Sequence, residues 1–420
     1  MKTLKKDIVV IGGGPAGMAA AIKAKKLGAD KVTIIERNTE LGGILQQCIH
    51  DGFGIHRYKN RLSGVQYAQM DIDHVYELGI EVYLDTMVLE VTPDRKIFAI
   101  NSTDGMLEIS CGAIILAMGC RERTSSQAVI YGYRPAGVMT AGSVQRYINI
   151  EGYLPGTKAV ILGSGDIGLI MARRMTLENI NVQGVYEIMP TPGGLTRNIV
   201  QCLNDFEIPL HLSTTVTYIH GKKRIEGVTV AKVDENRKVI PGTEEYIECD
   251  LLVLSVGLIP ENELSVQVGI QIDPKTKGPI LDNNLMTSHP GIFAAGNVAV
   301  VFDLVDFVSI SGDIAACGAV KFINGEIDEK APLKDVITGE NVGCLIPQKI
   351  RSDGDGQKAT FFLRVKQPLL KGKLDCKNLI CDDASKFTKV YKYLAPPEMI
   401  SFSVENVGKM PIRIDVKEVQ

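Results

Sequence analysis

Apolar residues fall along this chain in two textures: short unbroken runs, and longer stretches where they recur every three or four positions. The run Ile8-Val9-Val10-Ile11 predicts a buried strand, the spacing from Met18 to Leu27 a helix, and Val32 to Ile35 a second strand. Gly12-Gly13-Gly14-Pro15-Ala16-Gly17 joins the first strand to the helix, and Glu36 ends the second strand. Helical spacing returns from Gln66 to Leu78. Glu81 to Leu84, Thr86 to Val91, Ile97 to Asn101 and Leu107 to Ser110 alternate as strands of a small antiparallel insertion. Ala113 to Ala117, ending at Gly119, predicts a buried parallel strand that returns to the first sheet.

The pattern then repeats. Ala159 to Leu162 leads into Gly163-Ser164-Gly165-Asp166-Ile167-Gly168, a helix is predicted from Leu169 to Leu177, and Val182 to Tyr186 ends at Glu187. The spacing from first glycine to acid is 36 − 12 = 24 in one copy and 187 − 163 = 24 in the other. Leu251 to Val256 ends at Gly257 as the earlier strand ends at Gly119. In such a unit the first glycine permits the tight turn and the second lets the backbone approach a pyrophosphate. The third allows helix and strand to pack closely, and the acid accepts hydrogen bonds from a ribose. Two copies mean two nucleotides or one nucleotide and a degenerate copy; every glycine position is filled in both, which favours two.

Around these units, Thr124 to Gly156 reads as a crossing linker, and Pro192-Gly193-Gly194-Leu195 as a turn that either borders the second nucleotide or is an ordinary loop. Gly291 to Asn297 reads as a short buried strand and turn, and Ser311 to Ile323 as a helix. From about Pro332 short alternating strands follow, including Ala359 to Val365, Leu374 to Ile380 and Met399 to Val404. The expected fold class is α/β, with two Rossmann-like dinucleotide-binding domains and a small C-terminal β-rich domain. The expected boundaries are 1–123 with 278–333, then 124–277, then 334–420.

Composition narrows this little. Hydrophobic content of 45%, charged content of 23% and net charge −3 describe an ordinary soluble globular chain with no basic footprint for nucleic acid. The most apolar long stretch, Gly291 to Ile310, is broken by Asn297, Asp303 and Asp306, so no membrane span is expected. Nine cysteines without framework spacing suggest reduced thiols and a cytoplasmic setting. Cys376 and Cys381 flank a strand with no histidine nearby, so no metal site is expected.

These motifs resemble the two-dinucleotide flavoproteins of the pyridine nucleotide-disulfide reductase superfamily. Gly119-Cys120-Arg121-Glu122-Arg123 and Pro135 to Gly142 resemble the branch containing sarcosine oxidase alpha, opine oxidase and hydrogen cyanide synthase subunits. Gly42 to Gly54 and Leu394 to Met399 resemble flavoproteins encoded beside anaerobic glycerol-3-phosphate dehydrogenases. The resemblance implies FAD held by Gly12, Gly14, Pro15, Ala16, Gly17, Glu36, Arg37, Gly42, Gly43, Ala117, Gly119, Gly296 and Asn297. It implies a nicotinamide cofactor held by Gly163, Gly165, Asp166, Ile167, Gly168, Glu187 and Gly257. Asn297 departs from the family's usual Asp, and Met118 from a frequent Thr.

Glu187 accepts from a 2′-hydroxyl and repels a 2′-phosphate, and Ile188-Met189-Pro190 offers no arginine, so NAD is expected over NADP. Disulfide-reducing relatives carry a close cysteine pair; here Cys48 stands alone near the first glycine-rich region, so a dithiol route looks absent. The expected activity is FAD-dependent NAD(P)H oxidoreduction, with electrons passed to a partner redox protein or dehydrogenase subunit in glycerol-3-phosphate metabolism. Two alternatives stay open. One is an NADH oxidase or peroxidase using Cys48, with His50 or His56 moving a proton; the other is a non-catalytic nucleotide-binding subunit of a dehydrogenase complex.

Overall fold

The computed structural model describes residues 1–352, 358–378, 385–405 and 411–419. The chain divides into two compact units, Met1–Cys120 with Pro260–Gln420, and Arg121–Ile259.

In the first unit the predicted strand begins early, at Lys2, and runs to Ile11. It pairs in parallel with Val32–Ile35 on one side (Ile8 opposite Val32) and Gly105–Leu116 on the other (Ile8 opposite Ala113). Glu81–Tyr83 extends this sheet in parallel beyond Val32–Ile35, and Ile292–Ala294 adds to the far strand. The antiparallel insertion is therefore not a separate layer. Residues 107–110 and 113–116 form one continuous strand whose first half pairs with Lys96–Asn101 as well as with the N-terminal strand. Its burial shifts from alternating to continuous at Ala113, which is why it reads as two strands. Helices Pro15–Lys26 and Val305–Ile323 pack together, and Gly312 lets them approach: a Cβ there would lie 2.3 Å from the Ala16 carbonyl oxygen.

The C-terminal β region, also in the first unit, forms a five-stranded and a three-stranded sheet among the described residues. Strand alternation divides its core. Along Ala359–Val365, Phe361 and Leu363 face the region's own cluster, whereas Phe362 joins the core of the dinucleotide fold together with Ile346 and Met399. Phe362 meets Phe302 and Phe307 edge-on at 5.2 and 5.8 Å. Cys376 lies in that region's own core, and Cys381 falls outside the described residues.

The second unit repeats the plan. Lys158–Leu162 lies between Asn181–Tyr186 and Leu251–Leu254, all parallel, with Val138–Thr140 and Leu210–His211 at the edges. The expected linker is thus partly sheet and partly helix. Thr140 caps the helix Ala141–Asn149 by accepting from Ser143 N, and Glu122 accepts from Gly142 N at 2.9 Å, placing a carboxylate at the helix start. A smaller sheet, Tyr131–Gly132, Thr214–His220, Gly227–Lys232 and Glu245–Glu248, completes the unit. No helix among the described residues is long and apolar enough to cross a membrane.

Candidate dinucleotide sites

Both glycine-rich turns have the geometry their spacing predicts. Gly12 and Gly163 adopt φ of +108° and +93°, and a Cβ on either would lie 2.4 or 2.2 Å from a carbonyl oxygen of the neighbouring strand end, that of Ala117 or Ser255. Gly17 closes the turn tightly, since a Cβ there would fall 1.8 Å from the Gly12 oxygen. Gly14 is different: nothing lies within 4 Å of its missing Cβ, so space opens above the N-terminus of the Pro15–Lys26 helix, which has no side-chain cap. Uncapped N–H groups facing open space fit a pyrophosphate.

The acids are held alike. Glu36 is buried; one carboxylate oxygen accepts from Gly13 N at 2.6 Å and the other from Asn38 N at 2.8 Å. Glu187 is buried and accepts from Ser164 N at 2.8 Å and, through its other oxygen, from Met189 N at 2.9 Å. Main-chain donors fix each acid at a strand end, with lone pairs left for ribose hydroxyls.

The turn after each acid folds back onto its fingerprint. Gly42 N donates to the Gly13 oxygen at 2.9 Å, and a Cβ on Gly43 would lie 3.1 Å from Gly14 Cα. In the second unit Gly193 N donates to Ser164 Oγ at 2.7 Å, and Gly194 lies against Ser164 and Leu169. The Pro192–Leu195 turn thus borders the second fingerprint. A constant offset could have found it, because 163 − 12, 187 − 36, 193 − 42 and 194 − 43 all equal 151.

The remaining candidates divide. Ala117 and Gly296 lie at the first fingerprint: Ala117 N donates to the Ile11 oxygen, and a Cβ on Gly296 would lie 2.7 Å from that of Ala16; Gly119, two residues past Ala117, has φ +76°. Asn297 uses both ends of its amide, accepting from Phe302 N at 3.0 Å and donating to Cys120 Sγ at 3.4 Å. An Asp has no N–H with which to donate that second bond. Arg37 is exposed beyond the strand end. Asp166 accepts from Leu195 N and Asn198 Nδ2, Ile167 is half-buried one residue further along the same helix, and Gly257 has φ +100°. Arg123 N donates to the Gly257 oxygen.

Cys48 is buried, its thiol donates to the Ile44 oxygen at 3.3 Å, and burial pushes it up to about 12. At neutral pH such a sulfur is a thiol, not a nucleophilic thiolate. His50 lies against Phe53 and His56 stacks on Phe307 at 5.8 Å. A clamp that the sequence did not reveal holds His56 there. Arg57 N donates to Asp306 at 2.8 Å and its guanidinium to Asp313 at 2.9 Å, while Tyr58 donates to buried Asp71 at 2.6 Å. Burial lifts the Asp71 carboxyl above the usual carboxylate range, against the pull of Arg57. Among the described residues no cluster of His, Cys, Asp or Glu could hold a metal ion.

Two glycine-rich turns, each with a buried acid beside it and one in each unit, define a two-dinucleotide fold. The chain belongs to the pyridine nucleotide-disulphide oxidoreductase family, which matches residues 6–312. It is 23% identical over 333 residues to an opine oxidase subunit of Agrobacterium tumefaciens, covering 75% of this chain and 65% of that relative. It is 25% identical over 350 residues to the hydrogen cyanide synthase subunit HcnB of Pseudomonas protegens, covering 78% of this chain and 72% of that relative. The thioredoxin reductase of Lactococcus lactis shares the fold with a TM-score of 0.61, 22% identity, and coverage of 76% of this chain and 99% of that one.

Proposed function

We propose that the chain passes reducing equivalents between NADH and a partner redox protein or dehydrogenase subunit, with FAD held by the first unit and the nicotinamide dinucleotide by the second. Bound FAD supplies hydride and electron chemistry. Gly14 admits the FAD pyrophosphate to the helix N-terminus, Glu36 accepts from its adenosine ribose, and Asn297 fixes the turn beside it. In the second unit Gly165 and the start of the Asp166–Leu177 helix receive the other pyrophosphate, and Glu187 reads the ribose. The observation carrying the reading is the matched pair of buried, main-chain-held acids, Glu36 and Glu187.

Two observations support a protein as the other redox partner. Within the sequence Cys48 is the one cysteine near the first fingerprint, and its buried thiol suits packing, which leaves the peroxidase alternative without an activated sulfur. The opine oxidase and hydrogen cyanide synthase relatives are named as subunits. The motifs shared with glycerol-3-phosphate operon flavoproteins favour a dehydrogenase as that partner.

Nicotinamide preference is the test. NADH is expected to give the higher kcat/KM for flavin reduction, and Glu187→Gln to lower the NADH:NADPH ratio about tenfold, ~1.4 kcal/mol, because the charge that repels a 2′-phosphate is gone. Equal ratios in wild type and variant would overturn the assignment of Glu187.

A further inference from the structure

The two fingerprints share their spacing but not the residues between their glycines. In the first copy the residue after the leading glycine is Gly13, and a Cβ there would lie 2.4 Å from Leu41 Cδ2. The counterpart of Leu41, at 41 + 151, is the half-buried Pro192, and the space is filled instead by the fully buried side chain of Ser164. The Ser164 hydroxyl donates to Glu187 Oε2 at 2.7 Å and accepts from Gly193 N at 2.7 Å. Glu187 thereby receives three donors, Ser164 N, Ser164 Oγ and Met189 N, where Glu36 receives Gly13 N and Asn38 N.

A second leg fastens the same turn. Asp166 Oδ1 accepts from Leu195 N at 2.8 Å and from buried Asn198 Nδ2 at 2.6 Å. Its counterpart in the first copy, at 166 − 151, is Pro15, which has no acceptor to offer. The missing Cβ of Gly193 would lie 3.9 Å from both Glu187 Oε2 and Gly165 N, so the fastened turn lies between the acid and the phosphate-facing backbone.

We propose that Ser164 is a specificity-determining positioning residue of the nicotinamide site, locking Glu187 and the Pro192–Leu195 turn into one clasp that accepts a ribose 2′-hydroxyl and refuses a 2′-phosphate. This deepens the reading of Glu187 given above and rests on it. A carboxylate discriminates against a phosphate only while it cannot swing aside. A glutamate held by main-chain donors alone keeps side-chain freedom with which to yield; the Ser164 hydroxyl removes it. The same bond occupies the Gly193 N–H, which a displaced turn would otherwise offer to a phosphate oxygen. The clasp belongs to the nicotinamide copy alone.

The test uses the full FAD-loaded chain with ADP-ribose and 2′-phospho-ADP-ribose as probes, and calorimetric Kd values as the readout. Ser164→Gly copies the residue that the first unit carries in the same turn. It is expected to keep the flavin spectrum and to lower the preference for ADP-ribose about tenfold, the loss of one charge-assisted hydrogen bond. Ser164→Ala, which keeps the Cβ, should do the same. In a Glu187→Gln background Ser164→Gly should leave the preference unchanged, since the two residues act as a unit. An unaltered preference in both Ser164 variants, or an equal loss with and without Glu187, would overturn the clasp. If Glu187→Gln alone retains the wild-type preference, the reading of Glu187 fails first and the clasp fails with it.

Discussion

Replacing Gly14 with valine is expected to yield a folded protein that purifies without flavin, whereas replacing Gly17 with alanine is expected to impair the fold itself. The two positions are only three residues apart, and the surroundings of their missing Cβ atoms separate the outcomes. At Gly14 the backbone is extended, φ −76° and ψ −174°, which suits valine, and nothing lies within 4 Å of the added carbon. The side chain therefore enters only the space a pyrophosphate would use. FAD affinity should fall at least about a hundredfold, ~2.7 kcal/mol, with the melting temperature of the flavin-free protein little changed. At Gly17 the added carbon would lie 1.8 Å from the Gly12 oxygen, so the strand and helix must part. Overpacking of this kind costs about 1–3 kcal/mol or more. Calorimetry of the flavin-stripped proteins together with FAD titration distinguishes the two; equal flavin affinity in wild type and Gly14→Val would remove the pyrophosphate from that site.

The second large effect is expected at Arg351. Its Nε donates to Asp282 at 2.8 Å, with side-chain exposures of 5% and 2%, and its Nη1 donates to the main-chain oxygens of Asp328 and Glu329. Arg351→Met leaves Asp282 buried without its cation, which costs about 3–5 kcal/mol and lowers the melting temperature by roughly 10 °C. The pH dependence has a definite sign. Burial already raises the Asp282 carboxyl above its ordinary value while Arg351 pulls it down; without Arg351 it rises further. A raised folded-state value favours the protonated form, so the variant's deficit is full at high pH and shrinks as pH falls through that value. A deficit that grows on acidification would contradict this account. Asp282→Asn combined with Arg351→Met should recover part of the loss, since no buried charge then remains.

That ion pair also decides what a truncation of the C-terminal region would report about the partner. Deleting residues 334–420 would strand Asp282 and uncover Phe302 and Phe307, so loss of partner activity in such a truncation would report lost packing. Point changes at exposed positions of that region are the cleaner probe.

How legible these features are in the sequence follows from the range of the interactions. Gly12 to Glu36 and Gly163 to Glu187 are readable because strand, turn, helix and acid are contiguous and each carries a local signal. In the sequence the helix Val305–Ile323 reads as starting at Ser311, whereas it begins at Val305. Distant partners hold that first part in a helix: Arg57 N binds Asp306, and Tyr67 binds Ser309 from 242 residues away. The Ala141–Asn149 helix is hidden among the glycines and prolines of the expected linker. Arg351 and Asp282 lie 69 residues apart and carry no local pattern at all. Ser164 shows in the sequence only as a filler between glycines. Its significance needs Glu187 and Gly193 in place on either side of it.

The proposed function requires that NADH reduce a flavin bound in the same chain. Anaerobic mixing of the FAD-loaded protein with NADH, followed by the flavin's visible absorbance, tests it most directly. Complete bleaching is predicted within seconds, much more slowly with NADPH, followed by persistence of the reduced state when glutathione disulfide or oxidised thioredoxin is added. A flavin that stays oxidised under excess NADH would contradict the claim.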